Sequence, residues 1–319
     1  MTFACGLYDR MVGLATREVQ PEGIDLNFII EDAPRKIFDR MAGSEAFDAC
    51  EMSLSEVITR VDADKSPFVA IPIFPSRVFR HGFIVVNRKT IRTPKDLEGK
   101  RIGIPIYTVT AAVYIRALLQ HEYGVDLSTI QWVTGDMEKP GTHGNPSIMP
   151  LLTPVSIEHN QTDKSLGDLL AENSLQAMIG ATIPSVLGRH PDVARLFPNY
   201  VEVEADYYRR TQIFPIMHVV VIRKEVYERN PFVAGSLYRA LCASKDLALT
   251  RMRSVGALFD MLPWLWQNIA DVDEVFGADP WPYGLEANRK TLDAFITYLA
   301  EQGMIAKPMP LEDVFVPVE

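Results

Sequence analysis

The sequence predicts an α/β fold of two lobes, joined by a pair of crossover strands and enclosing a ligand cleft. Two observations predict it. Short apolar segments alternate with helical ones through the first half of the chain, the pattern of a parallel, helix-covered sheet. One plan also occurs twice, about 140 residues apart. Ile73-Phe74-Pro75 is followed by His81 and Val85-Val86, and Ile213-Phe214-Pro215 by His218 and Val219-Val220-Val221. Each copy runs from an apolar turn past a histidine into a β-branched run, which reads as a strand buried on both faces. Arg77 and Arg80 lie in the first copy, with Arg209 and Arg210 just ahead of the second. A chain that crosses one buried place twice is expected to form two lobes. Two ordinary core strands sharing a tripeptide is the plainer alternative.

Taken in order, residues 2–7 read as a strand and lead into the polar Tyr8-Asp9-Arg10. The turn Pro21-Glu22-Gly23 precedes a second strand at 24–30. Pro34 opens a helix with Ile37, Phe38 and Met41 on one face, stopping at Gly43. A short strand at 48–52 meets Ser53-Leu54-Ser55-Glu56, a capping box that starts the next helix. Residues 68–74 are another strand. A second unit starts near Asn87: Thr93 to Asp96 caps a short helix and 101–106 is a strand. Thr108-Val109-Thr110 then leads a helix with Ala111, Ile115, Leu118 and Leu119 inward, ending at Gly124. Residues 130–133 form a strand, 165–173 a helix and 177–180 a buried strand. Between them, 135–159 is rich in Gly and Pro and lacks a period, so it reads as one long loop, a kind that is usually functional. From Pro231 the chain is mostly helical, and residues 285–302 close on Gly303.

Composition narrows the function. The 319 residues allow two domains with ample core. No apolar run approaches the ~18 residues of a membrane helix, and residues 1–6 enter a strand without a basic or apolar leader, so a cytoplasmic location is expected. Cys5, Cys50 and Cys242 are unclustered and apolar in setting, as small buried hydrophobes are. A net charge of −9, with no basic stripe, argues against nucleic acid. It also means that an anionic ligand needs a local cationic pocket.

Open sheets place ligands beyond the carboxyl ends of their strands. That rule selects Tyr8, Asp9 and Arg10; Glu51 and Ser53; Arg77, Arg80 and His81; Thr108 and Thr110; and Thr182 and Ser185. Each has a duller reading. Ser53 and Thr110 cap helices equally well, a histidine among apolar residues is often core, and Asp9 and Arg10 can pair at the surface. Tyr207-Tyr208-Arg209-Arg210 suits a half-solvated lobe edge. Metal, phosphate-loop and acyl-serine motifs are missing, so no cofactor and no metal are expected. Acid–base chemistry on, or binding of, something anionic remains.

Several strings resemble the 4,5-dihydroxyphthalate decarboxylase family. They include Tyr8-Asp9-Arg10, Pro21-Glu22-Gly23-Ile24-Asp25-Leu26, Glu51-Met52-Ser53-Leu54-Ser55 and Phe74-Pro75-Ser76-Arg77-Val78-Phe79-Arg80-His81. Tyr208-Arg209-Arg210-Thr211, Ile213 to His218, Trp281-Pro282-Tyr283-Gly284 and Asn288-Arg289-Lys290 continue the match in order. Residues 135–159 depart from it most. The resemblance implies a type 2 periplasmic-binding-protein-like fold. Its first lobe would span 1–83 and 220–319 and its second 84–219, with the paired strands as hinge crossovers.

The resemblance also implies conversion of 4,5-dihydroxyphthalate to protocatechuate and carbon dioxide without an organic cofactor. Direct loss of carbon dioxide would leave an aryl carbanion, so the ring carbon must be protonated first, with electrons from the para hydroxyl. Histidine suits the proton transfers and an arginine fork the carboxylates. His81 and His218 are assigned the former, Arg77 and Arg80 the latter, with Glu51 as a further acid. Ser53, Thr108 and Thr110 would donate neutral hydrogen bonds, with Tyr8, Arg10 and Thr182 further substrate-binding candidates. The expected partner is a small aromatic carboxylate, with no nucleic acid or membrane; a homo-oligomer stays open. A non-catalytic solute-binding protein and a same-fold lyase such as chorismate dehydratase are the rivals.

Overall fold

Buried, nearly all-apolar strands set the frame. The computed structural model describes residues 1–144, 149–254, 256 and 258–318. From the N-terminus the chain forms β1 (Thr2–Cys5), α1 (Asp9–Ala15), β2 (Asn27–Ile30), α2 (Pro34–Ser44), β3 (Ala49–Ser53), α3 (Leu54–Asp62) and β4 (Phe68–Arg77). It continues through β5 (Val85–Asn87), β6 (Arg101–Ile104), α4 (Thr110–Tyr123), β7 (Gln131–Thr134), β8 (Ile157–His159), α5 (Leu166–Ala171), β9 (Ala177–Met178) and β10 (Val193–Arg195). Then follow α6 (Tyr200–Thr211), β11 (Ile216–Arg223), α7 (Lys224–Arg229), α8 (Phe232–Met252), α9 (Leu265–Phe276) and α10 (Arg289–Glu301).

Two compact units result. The first comprises 1–77, 216–293 and 309–319, the second 78–215 and 294–308. The stretch 294–308, expected with the first lobe, belongs to the second unit. Phe295 stacks on Tyr114 at 4.6 Å, and Gln302 accepts Arg116 Nε at 2.8 Å. These contacts draw the stretch to α4.

The first unit's sheet has the order β2-β1-β3-β11-β4. β1 pairs in parallel with β2 and β3, while β11 runs antiparallel to both β3 and β4. The sheet is therefore mixed, because the returning strand enters it from the opposite end. Pro72 and Pro75 lie inside β4, tolerable because an edge strand needs fewer ladder donors. Register shifts between Ile216 and Val220 absorb the irregularity. The second unit's sheet has the order β10-β5-β9-β6-β7-β8, with β5 antiparallel to β9 and β10.

Other expectations change in detail. The second strand is short, Asn27–Ile30, and half exposed at the sheet edge. Ser53 is the N-cap residue of α3 but makes no side-chain capping bond; its Oγ lies 3.2 Å from Ser55 Oγ. Glu56 is drawn away by Arg35, at 2.6 Å, so the expected capping box does not form. The box at Thr93 and Asp96 does form. Val109, not Thr110, is the N-cap of α4. The end of the expected 135–159 loop is β8, parallel to β7. Residues 145–148 of that loop lie outside the described residues.

Candidate active site

In the first unit's sheet, several polar groups converge on one buried carboxylate. β3 is buried throughout, and in its middle sits Glu51, fully buried. An isolated carboxylate there would be very costly. Three donors compensate it. The backbone N–H of Gly6, just past β1, donates to Oε1 at 2.9 Å. Tyr8 Oη lies 3.2 and 3.1 Å from the two oxygens. His218 Nδ1 lies 3.1 Å from Oε2. Burial first, and then the Glu51 charge, push the Tyr8 hydroxyl well above its ordinary range, so it stays a proton donor.

Topology explains the convergence. β1 and β3 are parallel, so residues just past their carboxyl ends lie at one sheet edge. β11 runs the other way, which brings its start to that same edge, with His218 opposite Ser53. Phe38 of α2 packs edge-on against the imidazole at 4.9 Å. With Nδ1 on the carboxylate, the imidazole is held in orientation by Glu51, as a carboxylate orients a histidine. Gly6 is required by packing: a Cβ there would stand 2.8 Å from the Tyr8 ring.

Arg10 and Arg77 border this cluster and differ. The Arg10 guanidinium lies between two rings, 4.4 Å from the centroids of both Tyr8 and Trp281. It donates through Nε and Nη2 to Pro75 O and through Nη1 to Asp9 at 2.9 Å. Among the described residues this uses three of the five guanidinium N–H groups. Arg77 is buried and committed to the chain itself: Nη2 donates to Pro282 O at 3.1 Å and to Asn288 Oδ1. Asn288 returns Nδ2 to Pro282 O and Gly284 O at 3.0 and 2.8 Å. Arg77 thus pins the 282–288 turn.

The remaining candidates lie in the second unit. His81 is not in a strand but in a buried 3-10 turn, ringed edge-on by Phe197, Tyr207 and Tyr123 at 5.4, 5.5 and 6.3 Å. Burial, then the Arg210 charge, lowers its pKa to about 4, so it is neutral at pH 7. Its Nδ1 is 3.7 Å from Glu204 Oε1, within ion-pair range but too long for a hydrogen bond, and a neutral imidazole makes no ion pair. Glu204 accepts Gly82 N at 3.1 Å, and burial raises its pKa to about 7. Arg80 is buried over the Phe83 ring at 4.6 Å, donates to Ala181 O at 3.2 Å, and is lowered to about 9 by burial. Thr108 and Thr110 are buried, the latter opening α4. Thr182 is exposed, with its hydroxyl 3.1 Å from Met137 Sδ.

Sequence reasoning undervalued Glu51 and missed Trp281, Asn288, Glu204 and Arg116. The signal for Glu51 was one charge inside an otherwise apolar strand. Arg116 carried the helical equivalent, a charge four residues after Ala112 on a buried face. It is fully buried, stacked 3.7 Å from the Tyr107 ring, with Nη1 on Tyr107 O at 2.8 Å. Among the described residues, no group of three or more His, Cys, Asp or Glu is placed to hold a metal ion.

With this geometry in view, the relatives can be compared. A 4,5-dihydroxyphthalate decarboxylase of Comamonas testosteroni is 36% identical over 319 residues, covering 99% of this chain and 96% of the relative. This chain belongs to the 4,5-dihydroxyphthalate decarboxylase family. A namesake from Pseudomonas putida is 36% identical over 211 residues, 66% of this chain and 81% of the relative. A family model described as NMT1/THI5 like matches residues 20–142. Among solved structures, the periplasmic aliphatic sulphonate binding protein SsuA of Escherichia coli aligns with a TM-score of 0.53 at 13% identity. The alignment covers 99% of this chain and 92% of that one, and gives this member of the decarboxylase family a periplasmic-binding-protein-like fold. The family is one of carboxy-lyases.

Proposed function

We propose that this chain decarboxylates 4,5-dihydroxyphthalate to protocatechuate by acid–base chemistry, with His218 as the proton-transfer group and Glu51 as its partner. Family membership supports the reaction; the convergence of Tyr8, Gly6 and His218 on the buried Glu51 supports the assignment of roles. The phenolic oxygen para to the departing carboxylate loses its proton and pushes electrons into the ring. Protonated His218 delivers the Nε2 proton to the ring carbon that bears the carboxylate. The carbon–carbon bond then breaks, carbon dioxide leaves, and its electron pair restores the aromatic ring and the phenolate, which is reprotonated. One proton is consumed per turnover and is taken up again by the imidazole. The donors left on Arg10 suit the carboxylate that stays on the ring. Arg77 serves by holding the turn that carries Trp281.

The test is incubation with 4,5-dihydroxyphthalate while carbon dioxide and protocatechuate are followed. Stoichiometric release of both is expected. A melting-temperature shift with no turnover would replace this reading with plain binding of an aromatic carboxylate.

A further inference from the structure

The decarboxylation leaves one proton without a carrier, that of the phenol para to the departing carboxylate. A group that takes it must reach the phenolic oxygen and pass a proton onward. Glu51 is a carboxylate of the right chemistry but is fully buried, so a proton from a ligand can reach it only through a neighbour. Among the described residues three groups hydrogen-bond to it: the Gly6 amide, Tyr8 Oη and His218 Nδ1. A backbone amide does not give up its proton at neutral pH, and His218 has the ring carbon to protonate. Tyr8 is the neighbour that remains.

Its setting fits a relay. Tyr8 is half-buried, so part of it is open to a ligand as Glu51 is not. Its Oη lies 3.2 and 3.1 Å from the two carboxylate oxygens, which commits its hydrogen to Glu51. A tyrosine hydroxyl accepts as well as donates, and this oxygen keeps lone-pair capacity for a second donor. At rest, burial and the Glu51 charge keep it a neutral hydroxyl.

The ring is also held in place. Gly6 lies close against it, and the Arg10 guanidinium covers it 4.4 Å from the centroid. That cation favours negative charge on the oxygen while a proton is between partners. Glu51 Oε2 is 3.1 Å from both Tyr8 Oη and His218 Nδ1, so hydroxyl and imidazole share one acceptor atom and stand at most twice that distance apart. The distance from a phenolic oxygen to the ring carbon para to it is comparable.

We propose, resting on the decarboxylation above, that Tyr8 is the catalytic relay between the substrate's para hydroxyl and Glu51. The phenolic O–H bond breaks and its proton bonds to Tyr8 Oη as the Tyr8 proton passes to the carboxylate of Glu51. After carbon dioxide has left and the electron pair has returned to the ring, both protons move back and the phenol is restored. The relay consumes nothing, and the one proton used per turnover is still the one delivered to carbon.

Tyr8→Phe keeps the ring and loses the hydroxyl. At pH 7 its kcat on 4,5-dihydroxyphthalate should fall by about 10²–10⁴-fold, with KM changed by a few-fold. The deficit should shrink as pH rises towards about 10, the ordinary pKa of a phenol, because substrate that arrives as phenolate needs no relay. A trifluorinated tyrosine installed at position 8 keeps the shape with a more acidic hydroxyl, and should add an ionisation to the pH dependence of kcat. Melting temperatures establish that each protein is folded. A Tyr8→Phe deficit that stays constant with pH would reduce Tyr8 to a support for Glu51 and overturn the proposal. Full activity in that variant, or a pH profile unmoved by the trifluorinated residue, would do the same. A parent that releases no carbon dioxide would overturn the decarboxylation reading, and the relay with it.

Discussion

At the residue scale, the two histidines of the duplicated plan part company. His218 meets a carboxylate; His81 meets aromatic rings. His218→Gln and Glu51→Gln are therefore expected to lower the single-turnover rate by about 10²–10⁴-fold while substrate affinity changes by a few-fold. Measuring rate and affinity on the same samples decides it, since a structural role would lower the melting temperature and spare the surviving turnover. His81 should reveal itself through pH instead. Its folded pKa, about 4, lies below the ordinary 6.5, so between those values the unfolded chain binds the proton and the fold does not. Stability linked to His81 is thus complete above pH 6.5 and is lost as pH falls towards 4. The loss approaches about 3 kcal/mol at ~1.4 kcal/mol per pKa unit. Glu204, raised to about 7, has the opposite slope, since its ionisation costs stability as pH rises from 4.5 to 7. His81→Phe keeps a ring in the aromatic box, so in denaturant titrations the parent should lose stability relative to it as pH falls from 6.5 to 4. A constant gap would refute the assignment. A third contrast separates the arginines: Arg10→Met should weaken binding of phthalate, used as a dianionic probe, by tens-fold, as losing a charge partner worth about 2–5 kcal/mol would. Equal affinity in parent and variant would move the carboxylate away from Arg10.

At the scale of elements, the turn at 282–288 is tied to β4 by Arg77, a residue the sequence marked for substrate binding. Arg77 spends its Nη2 on Pro282 and Asn288, and Gly284 N in turn donates to Pro72 O of β4 at 2.8 Å. Trp281 Nε1 donates to Phe74 O at 2.8 Å, which sets the indole face on Arg10. Asn288→Ala removes an acceptor from a buried guanidinium and is expected to cost about 1–3 kcal/mol of stability, read as a fall in denaturation midpoint. It should also raise the substrate KM, because the Trp281 face that orients Arg10 would loosen. A stability loss with unchanged KM would confine the turn to a structural role. The sequence showed this turn as part of a family string, but its function as a clamp depends on β4 lying beside it. Propensity along the chain carries no information about that neighbour.

At the scale of the whole molecule, the α/β class agrees with the alternation of strands and helices in the first half of the chain. The direction of β11 and the placement of 294–308 were not legible there. Both depend on which surfaces an element meets after some hundred residues of intervening chain. The catalytic proposal makes one global prediction. Glu51 and His218 offer two metal-ligating groups, fewer than the three that a catalytic metal usually takes from protein. Exhaustive dialysis against a chelator is therefore expected to leave the rate of carbon dioxide release unchanged. A loss restored by one divalent ion would show a ligand set drawn from elsewhere and overturn the metal-free mechanism.

The sequence by itself determined the kind of sheet core, because runs such as residues 49–53 and 216–222 bury on both faces whatever their partners. It also determined the family, because the matching strings extend along nearly the whole chain, and it marked the residues beyond strand ends as candidates. Tertiary structure alone decided which neighbours those candidates meet. Glu51 and His218 are 167 residues apart, and only the antiparallel return of β11 brings the imidazole to the carboxylate. The same residue type at position 81 is wrapped in rings and kept neutral. A side chain's proton affinity is set by the charges and solvent within a few ångströms, and those neighbours are chosen by the fold.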